Sequence, residues 1–194
     1  MFAPKSVSVG DVTSNLPGTA ARFNEGKSPL ELIPLDTLSI LLQSKVHSTI
    51  CDMLLYVGLF QIRDDNIRTL YQAFEELERY CEQNDLPSAL ELTASVLDFG
   101  RHKYAEWNWV KGQPWSVVFG CIARHSQKLQ YETLDTDSGL HHVGHIGANL
   151  VFLMEFAAYY KEGDDRCKFY IDNAVTATPM TGTPVKSFTS DNVK

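Results

Sequence analysis

The stretch DTDSGLHHVGHIGANLVFLM, residues 135–154, carries the pattern that decides the fold class. Its apolar residues recur at steps of three and four positions, the spacing of one face of an α-helix, and with Ala157 they are Val143, Ile146, Leu150 and Leu153. A second stripe runs along the edge of the first, because its members are also three and four positions apart; they are His142, His145 and Asn149. We therefore predict a helix over about residues 141–161.

The chain before this stretch shows the same helical periodicity. The apolar series between residues 36 and 60 predicts one long helix or two shorter ones, and the amphipathic series between residues 65 and 83 predicts another. Ser88 and Glu91 have the spacing of a capping box, so a further helix begins there and runs to about Gly100. Because no alternating strand pattern of useful length is present, we predict an all-α helical bundle.

The two ends differ from this core in composition. Residues 1–20 begin with a stretch rich in Ser, Val, Gly and Pro, and residues 173–194 are rich in Thr, Ser and Pro. We interpret the first as a flexible arm and the second as a flexible tail. A single helical domain is expected between them, over residues 21–172.

A fourth histidine precedes the histidine-rich helix. His125 lies on the apolar stripe of a helix that we predict over residues 117–131, with Ser116 as its cap. A short turn joins this helix to the next, so the two should be antiparallel neighbours, with His125 opposite His142 or His145.

Imidazoles beside a carboxylate are typical ligands of a transition metal. Asp135 and Asp137 lie in the turn before the histidine-rich helix, and such a set suits Zn²⁺, Mn²⁺, Fe²⁺ or Ni²⁺, whereas Mg²⁺ sites are more usually built from carboxylates. The candidate ligands are His125, Asp137, His142 and His145. In the alternative interpretation, Asp137 and Ser138 cap the helix, and the histidines are interior residues hydrogen-bonded to one another or to Asp.

The stretch HKYAEWNWVKG, residues 102–112, combines aromatic residues with an asparagine and two lysines. Aromatic faces can stack on a base, the Asn108 carboxamide can pair with a base edge, and Lys103 or Lys111 can meet a phosphate. The alternative is that the tryptophans close the end of the bundle while the lysines stay in water.

The stretch ARFNEGKSPLELIP, residues 21–34, places two cations on either side of a glycine turn. Backbone amides at such a turn can hold a phosphate, with Arg22 or Lys27 nearby. One glycine and one lysine do not make the glycine-rich Walker pattern.

Composition excludes several classes of protein. The 194 residues carry a net charge of −7, which argues against a general nucleic-acid binder, because that function needs a basic footprint. The four cysteines form no Cys-x-x-Cys pair, so we expect buried thiols in a reducing cytosol rather than a zinc knuckle. The longest apolar run, MLLYVGLFQI at residues 53–62, is about half of the ~20 residues that a membrane span needs, so we expect no membrane partner.

Four elements of the chain, in this order, resemble the phage-encoded family named for its dATP/dGTP diphosphohydrolase N-terminal domain. They are RFNEGKSPLELIPL (22–35), ELTASVLDFGRHKYAEWNWVKG (91–112), IARHSQKL (122–129) and DTDSGLHHVGHIGANLVFLMEF (135–156). Relative to the family, residues 43–87 are an apparent insertion, which we interpret as an extra helical pair packed on the core.

The resemblance implies an all-α protein that hydrolyses a purine deoxynucleoside triphosphate to the monophosphate and pyrophosphate in the cytoplasm of an infected cell. The residues that match the family's pattern are Arg22, Lys27, Lys103, Tyr104, Asn108, Trp109, Gly112, Arg124, His125, Gly139, His142, His145 and Asn149.

We expect a divalent metal, Mg²⁺, Mn²⁺ or Zn²⁺, held by some of the four candidate ligands, with His125 and Asp137 as the catalytic pair. Arg124 with Lys27 or Lys103 would hold phosphates, and Asn108 and Trp109 would face the base. The other expected substrate-binding residues are Arg22, Tyr104 and Asn149.

MazG-type pyrophosphohydrolases use two carboxylate pairs, Glu-x-x-Glu and Glu-x-x-Asp. The same spacings occur here at Glu75/Glu78 and Glu82/Asp85. These pairs are too close together, and we interpret them as a solvated acidic face of the helix over 65–83.

Two other functions use the same features. The first is a non-catalytic nucleotide-binding protein, a sensor or sponge, in which metal is dispensable. The second is a helical interaction protein that kept the fold and lost the ligand. By analogy with helical nucleotide hydrolases, a homodimer is possible.

Overall fold

Helices make up most of the described chain. The computed structural model describes residues 10–62 and 66–168, and the α-helices within these ranges are α1 (Leu35–Leu42), α2 (Ser48–Ile62), α3 (Arg68–Gln83), α4 (Ala89–Lys103), α5 (Trp115–Lys128) and α6 (His142–Tyr159). Short 3-10 helices cover Leu30–Leu32, Asn108–Lys111 and Lys161–Gly163. An isolated bridge joins Leu134 and His141, and the described residues contain no strand or sheet, so the all-α prediction is confirmed. The predicted tail over 173–194 lies outside the described residues.

The apolar series between residues 36 and 60 forms two helices, α1 and α2, which was one of the two predicted arrangements. The capping box at the start of α4 is also confirmed. The backbone N–H of Glu91 donates to Ser88 Oγ at 3.2 Å, and that of Ser88 donates to Glu91 Oε2 at 3.3 Å. These bonds satisfy amides that a helix start would otherwise leave without acceptors.

The predicted cap of α5, Ser116, is wrong, and so is the cap by Asp137 and Ser138 that belonged to the alternative interpretation of α6. Helix α5 begins at Trp115, whose ring is buried against Phe60 with 5.9 Å between centroids, so Ser116 already lies in the first turn. There the Ser116 backbone N–H donates to Asp165 Oδ1 at 2.8 Å, and this carboxylate takes the capping role. At α6 the cap is His141, whose Nδ1 accepts from Val143 N at 3.1 Å, and neither Asp137 nor Ser138 caps the helix.

The acidic residues of α3 only partly form a solvated face. Glu75, Glu82 and Asp85 are exposed, as expected. Glu78, however, accepts from the backbone N–H groups of Ala89 at 2.9 Å and Leu90 at 3.2 Å. Its carboxylate therefore ties the end of α3 to the start of α4 and supports the helix dipole there.

Helix α6 lies at the centre of the fold and contacts α3, α4 and α5. Its apolar stripe is fully buried at Ile146, Leu150 and Leu153. Within the described residues, no helix combines the length and the apolar character needed to cross a membrane.

Residues 10–21 run beside the 3-10 helix Asn108–Lys111. The Gly18 N–H donates to Lys111 O at 2.6 Å, and the Ala20 N–H donates to Gly112 O at 3.0 Å. The composition of the predicted arm gave no sign of these contacts. They fix the direction in which the chain enters the site at Arg22.

Two glycines on α6 let α4 approach closely. A Cβ at Gly144 would lie 2.5 Å from the backbone oxygen of Leu92, and one at Gly147 would lie 2.0 Å from Thr93 Oγ1. The close contact of α4 and α6 brings the end of α4, with Lys103, beside the histidines of α6.

We expect Gly144→Ala to lower the free energy of unfolding by about 1–3 kcal/mol, because the new methyl group meets backbone that cannot rotate away. Gly100→Ala is the matched control, since a Cβ at that helical position meets nothing within 4 Å. The control should gain about 0.5–1 kcal/mol from helix propensity. Urea denaturation followed by circular dichroism measures both, and equal stabilities would contradict the tight α4–α6 contact.

Candidate functional site

A cavity of about 320 Å³ lies between the ends of α4, α5 and α6 and the segment around Arg22. This volume is in the range of small-molecule sites. Seven of the eight predicted substrate-binding residues line it, namely Arg22, Lys27, Lys103, Tyr104, Asn108, Trp109 and Asn149. Among the predicted metal ligands, His125, Asp137 and His145 line it as well, and Asp135 joins them.

The histidines of α5 and α6 meet as predicted. Nδ1 of His125 lies 2.9 Å from Nδ1 of His142, and the His125 ring stacks on His145 with 4.4 Å between centroids and 9° between planes. His142 is completely buried, because it lies on the side of α6 that faces α5.

These imidazoles are neutral near pH 7. Burial, together with the charges of the neighbouring histidines, holds the pKa of His125 well below its ordinary value of 6.5. Burial likewise lowers the pKa of His145 to about 4 and also lowers that of His142, which Asp135 partly counteracts. Neutral imidazole is the form that binds metal ions, so little proton displacement opposes metal binding here.

One group of side chains in the described part has the spacing of a metal site. His125, Asp135 and His142 each offer a ligand atom within 4.8 Å of the other two. On its other side, His142 directs Nε2 toward Glu132 Oε1 at 3.4 Å. This contact does not meet hydrogen-bond geometry, but it places a carboxylate beyond a candidate ligand, where such groups orient ligating histidines in metal sites. The donor set therefore fits a divalent transition metal.

The carboxylate of this group belongs to Asp135. The predicted ligand Asp137 lies outside the group. The Lys103 ammonium donates to Asp137 Oδ2, and the group within 4.8 Å does not contain Asp137. The turn accounts for the difference, since Asp135 Oδ1 accepts from the N–H groups of Asp137 and Ser138 at 3.1 Å each and is fixed toward the histidines. Burial opposes ionisation of Asp135, but the hydrogen bonds from Ser138 and the nearby positive charges outweigh it and lower its pKa.

The predicted ligand His145 also lies outside this group of three. Its Nε2 lies 2.8 Å from Ser138 Oγ, and it is not part of the group within 4.8 Å. The ring therefore stacks on His125 and holds it in place, while His125, Asp135 and His142 supply the close donors.

Two of the predicted substrate-binding residues make contacts within the protein. Arg124 does not line the cavity, because its guanidinium donates to Ser28 O at 3.0 Å and to Asn24 Oδ1 at 3.2 Å. The carboxamide of Asn108 hydrogen-bonds at both ends to the backbone of Ala21, donating to its oxygen and accepting from its N–H, both at 3.1 Å. Arg124 thus secures the amino-terminal segment, and Asn108 anchors the chain beside Arg22.

The cavity is nonetheless strongly cationic. Its lining contains five positively charged side chains and two carboxylates, although the whole chain carries a net charge of −7. The positive residues are Arg22, Lys27, Arg101, Lys103 and Lys128. Their field is visible at Cys121, where burial opposes ionisation of the thiol but the charges of Arg22, Arg124 and Lys27 outweigh it and lower the pKa. Such a field attracts anions.

Arg22 is held by a short chain of hydrogen bonds. Its Nη2 donates to Asn149 Oδ1 at 2.6 Å, and Asn149 Nδ2 donates to His145 O at 2.6 Å. The amino-terminal cation is therefore fixed to the histidine-bearing helix.

Aromatic side chains form the other wall of the cavity. Trp109 stacks on Phe152 with 4.9 Å between centroids and 21° between planes. Trp107 is 66% exposed and lies at the rim. Such a wall can pack against a flat heterocycle.

Residues 76–166 match the family described as dATP/dGTP diphosphohydrolase, N-terminal. The resemblance seen in the sequence is thus confirmed over the segment that carries α4, α5, α6 and all three members of the metal-like group. The matched range starts inside α3, within the segment that we interpreted as an insertion. Comparison with curated proteins and with solved structures gave no match.

The cavity also includes residues that sequence reasoning missed. Lys128 lies three positions after His125 and therefore falls on the same side of α5. This helical spacing could have identified it from the sequence. Gln113 carried no such signal, since it follows the turn at Gly112 and belongs to no periodic stretch.

Proposed function

We propose that this protein is a metal-dependent nucleotide phosphohydrolase that converts dATP or dGTP to the monophosphate and pyrophosphate. One observation carries the proposal. The cavity that holds His125 and Asp135 is lined by Arg22, Lys27 and Lys103 and has an aromatic wall, so it offers places for a metal, phosphates and a base in one site. The matched family's name favours the same reaction.

The chain's own residues perform the binding. Arg22, Lys27 and Lys103 neutralise the triphosphate, and the guanidinium of Arg22 can bind phosphate oxygens in a bidentate way. Trp109 and Phe152 face the base. Lys103 is shared between Asp137 and the cavity, so it can exchange its carboxylate partner for a phosphate.

His125, Asp135 and His142 would hold the metal. When bound, a divalent metal there would supply Lewis acidity and lower the pKa of a water ligand. His125 is buried and neutral, which suits a ligand better than a proton acceptor. Glu132 orients His142, and His145 with Ser138 holds the ring of His125 by stacking.

The test is an incubation of the purified protein with the four dNTPs in Mg²⁺, Mn²⁺ or Zn²⁺, with products separated by ion-exchange chromatography. We expect dAMP or dGMP with pyrophosphate, no turnover after EDTA treatment, and recovery when metal is added back. Metal binding is measured separately by calorimetry.

Release of single phosphates or of triphosphate would contradict the proposed cleavage position. If dNTPs stay intact under every metal but raise the melting temperature, the site serves a non-catalytic nucleotide-binding protein instead. That second function would use the same cationic lining.

A further inference from the structure

Gln113 is a buried polar side chain at the wall of the cavity. It is 1% exposed and lies among the lining residues. Its Oε1 has no hydrogen-bond partner among the residues that the structure describes. Buried carbonyl oxygens are nearly always hydrogen-bonded, and leaving one without a partner is costly, so an exception in a cavity wall points to a ligand group.

The chain around Gln113 fixes its position. Gly112 has φ +82°, in the region that favours glycine, and a Cβ there would lie 2.5 Å from the ring of Tyr160. Pro114 follows as the N-cap residue of α5, which begins at Trp115. Gln113 is thus set between a tight turn and a helix start, and its backbone has little freedom.

The place of Gln113 in the cavity is on the aromatic side. The N–H of Gly112, the residue before it, donates to Trp109 O at 3.0 Å, and Trp109 stacks on Phe152, which lines the same cavity. The other two carboxamides of the lining are each engaged at both ends, Asn108 by Ala21 and Asn149 by Arg22 and His145. Gln113 is therefore the lining carboxamide whose oxygen can hydrogen-bond to the polar edge of a base packed on the aromatic wall.

We infer that Gln113 is the base-reading residue of this protein, with its carboxamide hydrogen-bonded to the edge of a purine. This inference rests on the proposed nucleotide site. A carboxamide offers one acceptor and one donor, which pair with the amino group and ring nitrogen of adenine, and equally with the N1–H and O6 of guanine. An amide at this position accepts both purines.

A carboxylate at the same position separates the two purines. Gln113→Glu has two acceptors and no donor when ionised. It can accept from the N1–H and the amino group of guanine, whereas on adenine it would face a lone pair of a ring nitrogen. The ratio of dGTP affinity to dATP affinity should therefore rise by about tenfold or more.

The experiment measures binding of dATP and dGTP by calorimetry in EDTA, so that no hydrolysis is needed. Gln127→Glu makes the same chemical change on the exposed side of α5, and its dGTP/dATP ratio should equal that of the wild type. Gln113→Met is the second variant, since removing a buried unpartnered amide should not lower the melting temperature. It should weaken both purine nucleotides about tenfold or more by removing a hydrogen-bonding pair.

An unchanged dGTP/dATP ratio in a folded Gln113→Glu, or wild-type affinities in Gln113→Met, would overturn the inference. Where Gln113→Glu does not fold, Gln113→Met decides alone. Shifted affinities without any turnover would support Gln113 as base reader while removing the proposed hydrolase function. Turnover with an unchanged dGTP/dATP affinity ratio would support the hydrolase function and exclude Gln113 as the base reader.

Discussion

Asn in place of Asp135 is expected to reduce dNTP hydrolysis at least about a hundredfold, while the same change at Asp137 leaves most of the turnover intact. Loss of a residue that only supports a metal ligand already costs about 10–100-fold, so loss of a ligand carboxylate should cost at least the upper end of that range. Asp135 has an oxygen within 4.8 Å of the ligand nitrogens of His125 and His142. Asp137 instead accepts from Lys103.

The two substitutions are closely matched. Both replace an aspartate in the same turn by its neutral isostere, and the side chain of Asp137 is the more exposed of the two, 41% against 14%. Asp137→Asn should change the affinity for nucleotide by less than about tenfold, since an exposed ion pair contributes little. The Asp137→Asn substitution also removes a negative charge from the cavity, and this loss does not oppose the binding of an anionic triphosphate.

Steady-state kinetics of both variants, with circular dichroism to verify folding and calorimetry with Mn²⁺ or Zn²⁺, distinguishes the two carboxylates. Asp135→Asn should lose metal affinity together with turnover. Inactivity of Asp137→Asn beside an active Asp135→Asn would restore the ligand set suggested by the sequence and exclude the group seen in the structure.

The part of the site that could be predicted is the part carried by helical spacing. His142, His145 and Asn149 share one side of α6 because they are three and four positions apart, and the short turn after α5 brings His125 opposite them. These relations depend on helix geometry alone. The same holds for the capping box of Ser88 and Glu91.

What could not be predicted depends on the path of irregular backbone. Asp135 and Asp137 are two positions apart in a turn, and only the turn's own hydrogen bonds decide which one faces the histidines. The contacts of Arg124 also depend on irregular backbone, because the segment near Ser28 folds over α5 and Ser28 O accepts from the Arg124 guanidinium. Spacing along the chain contains no information on either choice.

The second large effect is expected at Arg166, which sequence reasoning did not single out. Its guanidinium donates to Phe60 O at 2.7 Å and to both oxygens of Asp164 at 2.8 and 2.7 Å. It also lies 4.9 Å from the ring centroids of Phe60 and Trp115. One buried cation thus joins the chain after α6 to α2 and to the start of α5.

Arg166→Ala should lower the free energy of unfolding by about 3 kcal/mol, because it leaves Phe60 O and the Asp164 carboxylate without their donor and removes packing from two rings. The matched control is Arg101→Ala. Arg101 pairs with Asp98 at 2.7 Å, but both side chains are more than half exposed, so its loss should cost less than about 1 kcal/mol.

The pH dependence of the Arg166→Ala effect identifies its electrostatic part. Burial opposes ionisation of Asp164, but the hydrogen bonds and charge of Arg166 outweigh it and hold its pKa below the ordinary value of 3.8. A carboxyl with a lowered folded-state pKa stabilises the fold above its unfolded-state pKa and loses this contribution as the pH falls through the folded-state value. The difference between wild type and Arg166→Ala in urea denaturation should therefore be constant from pH 7 to about pH 5 and shrink below pH 4. A difference that stays constant down to pH 3 would assign the whole effect to the hydrogen bond with Phe60 O and the ring contacts. A loss of unfolding free energy no larger than that of Arg101→Ala would show that Arg166 does not secure the helices.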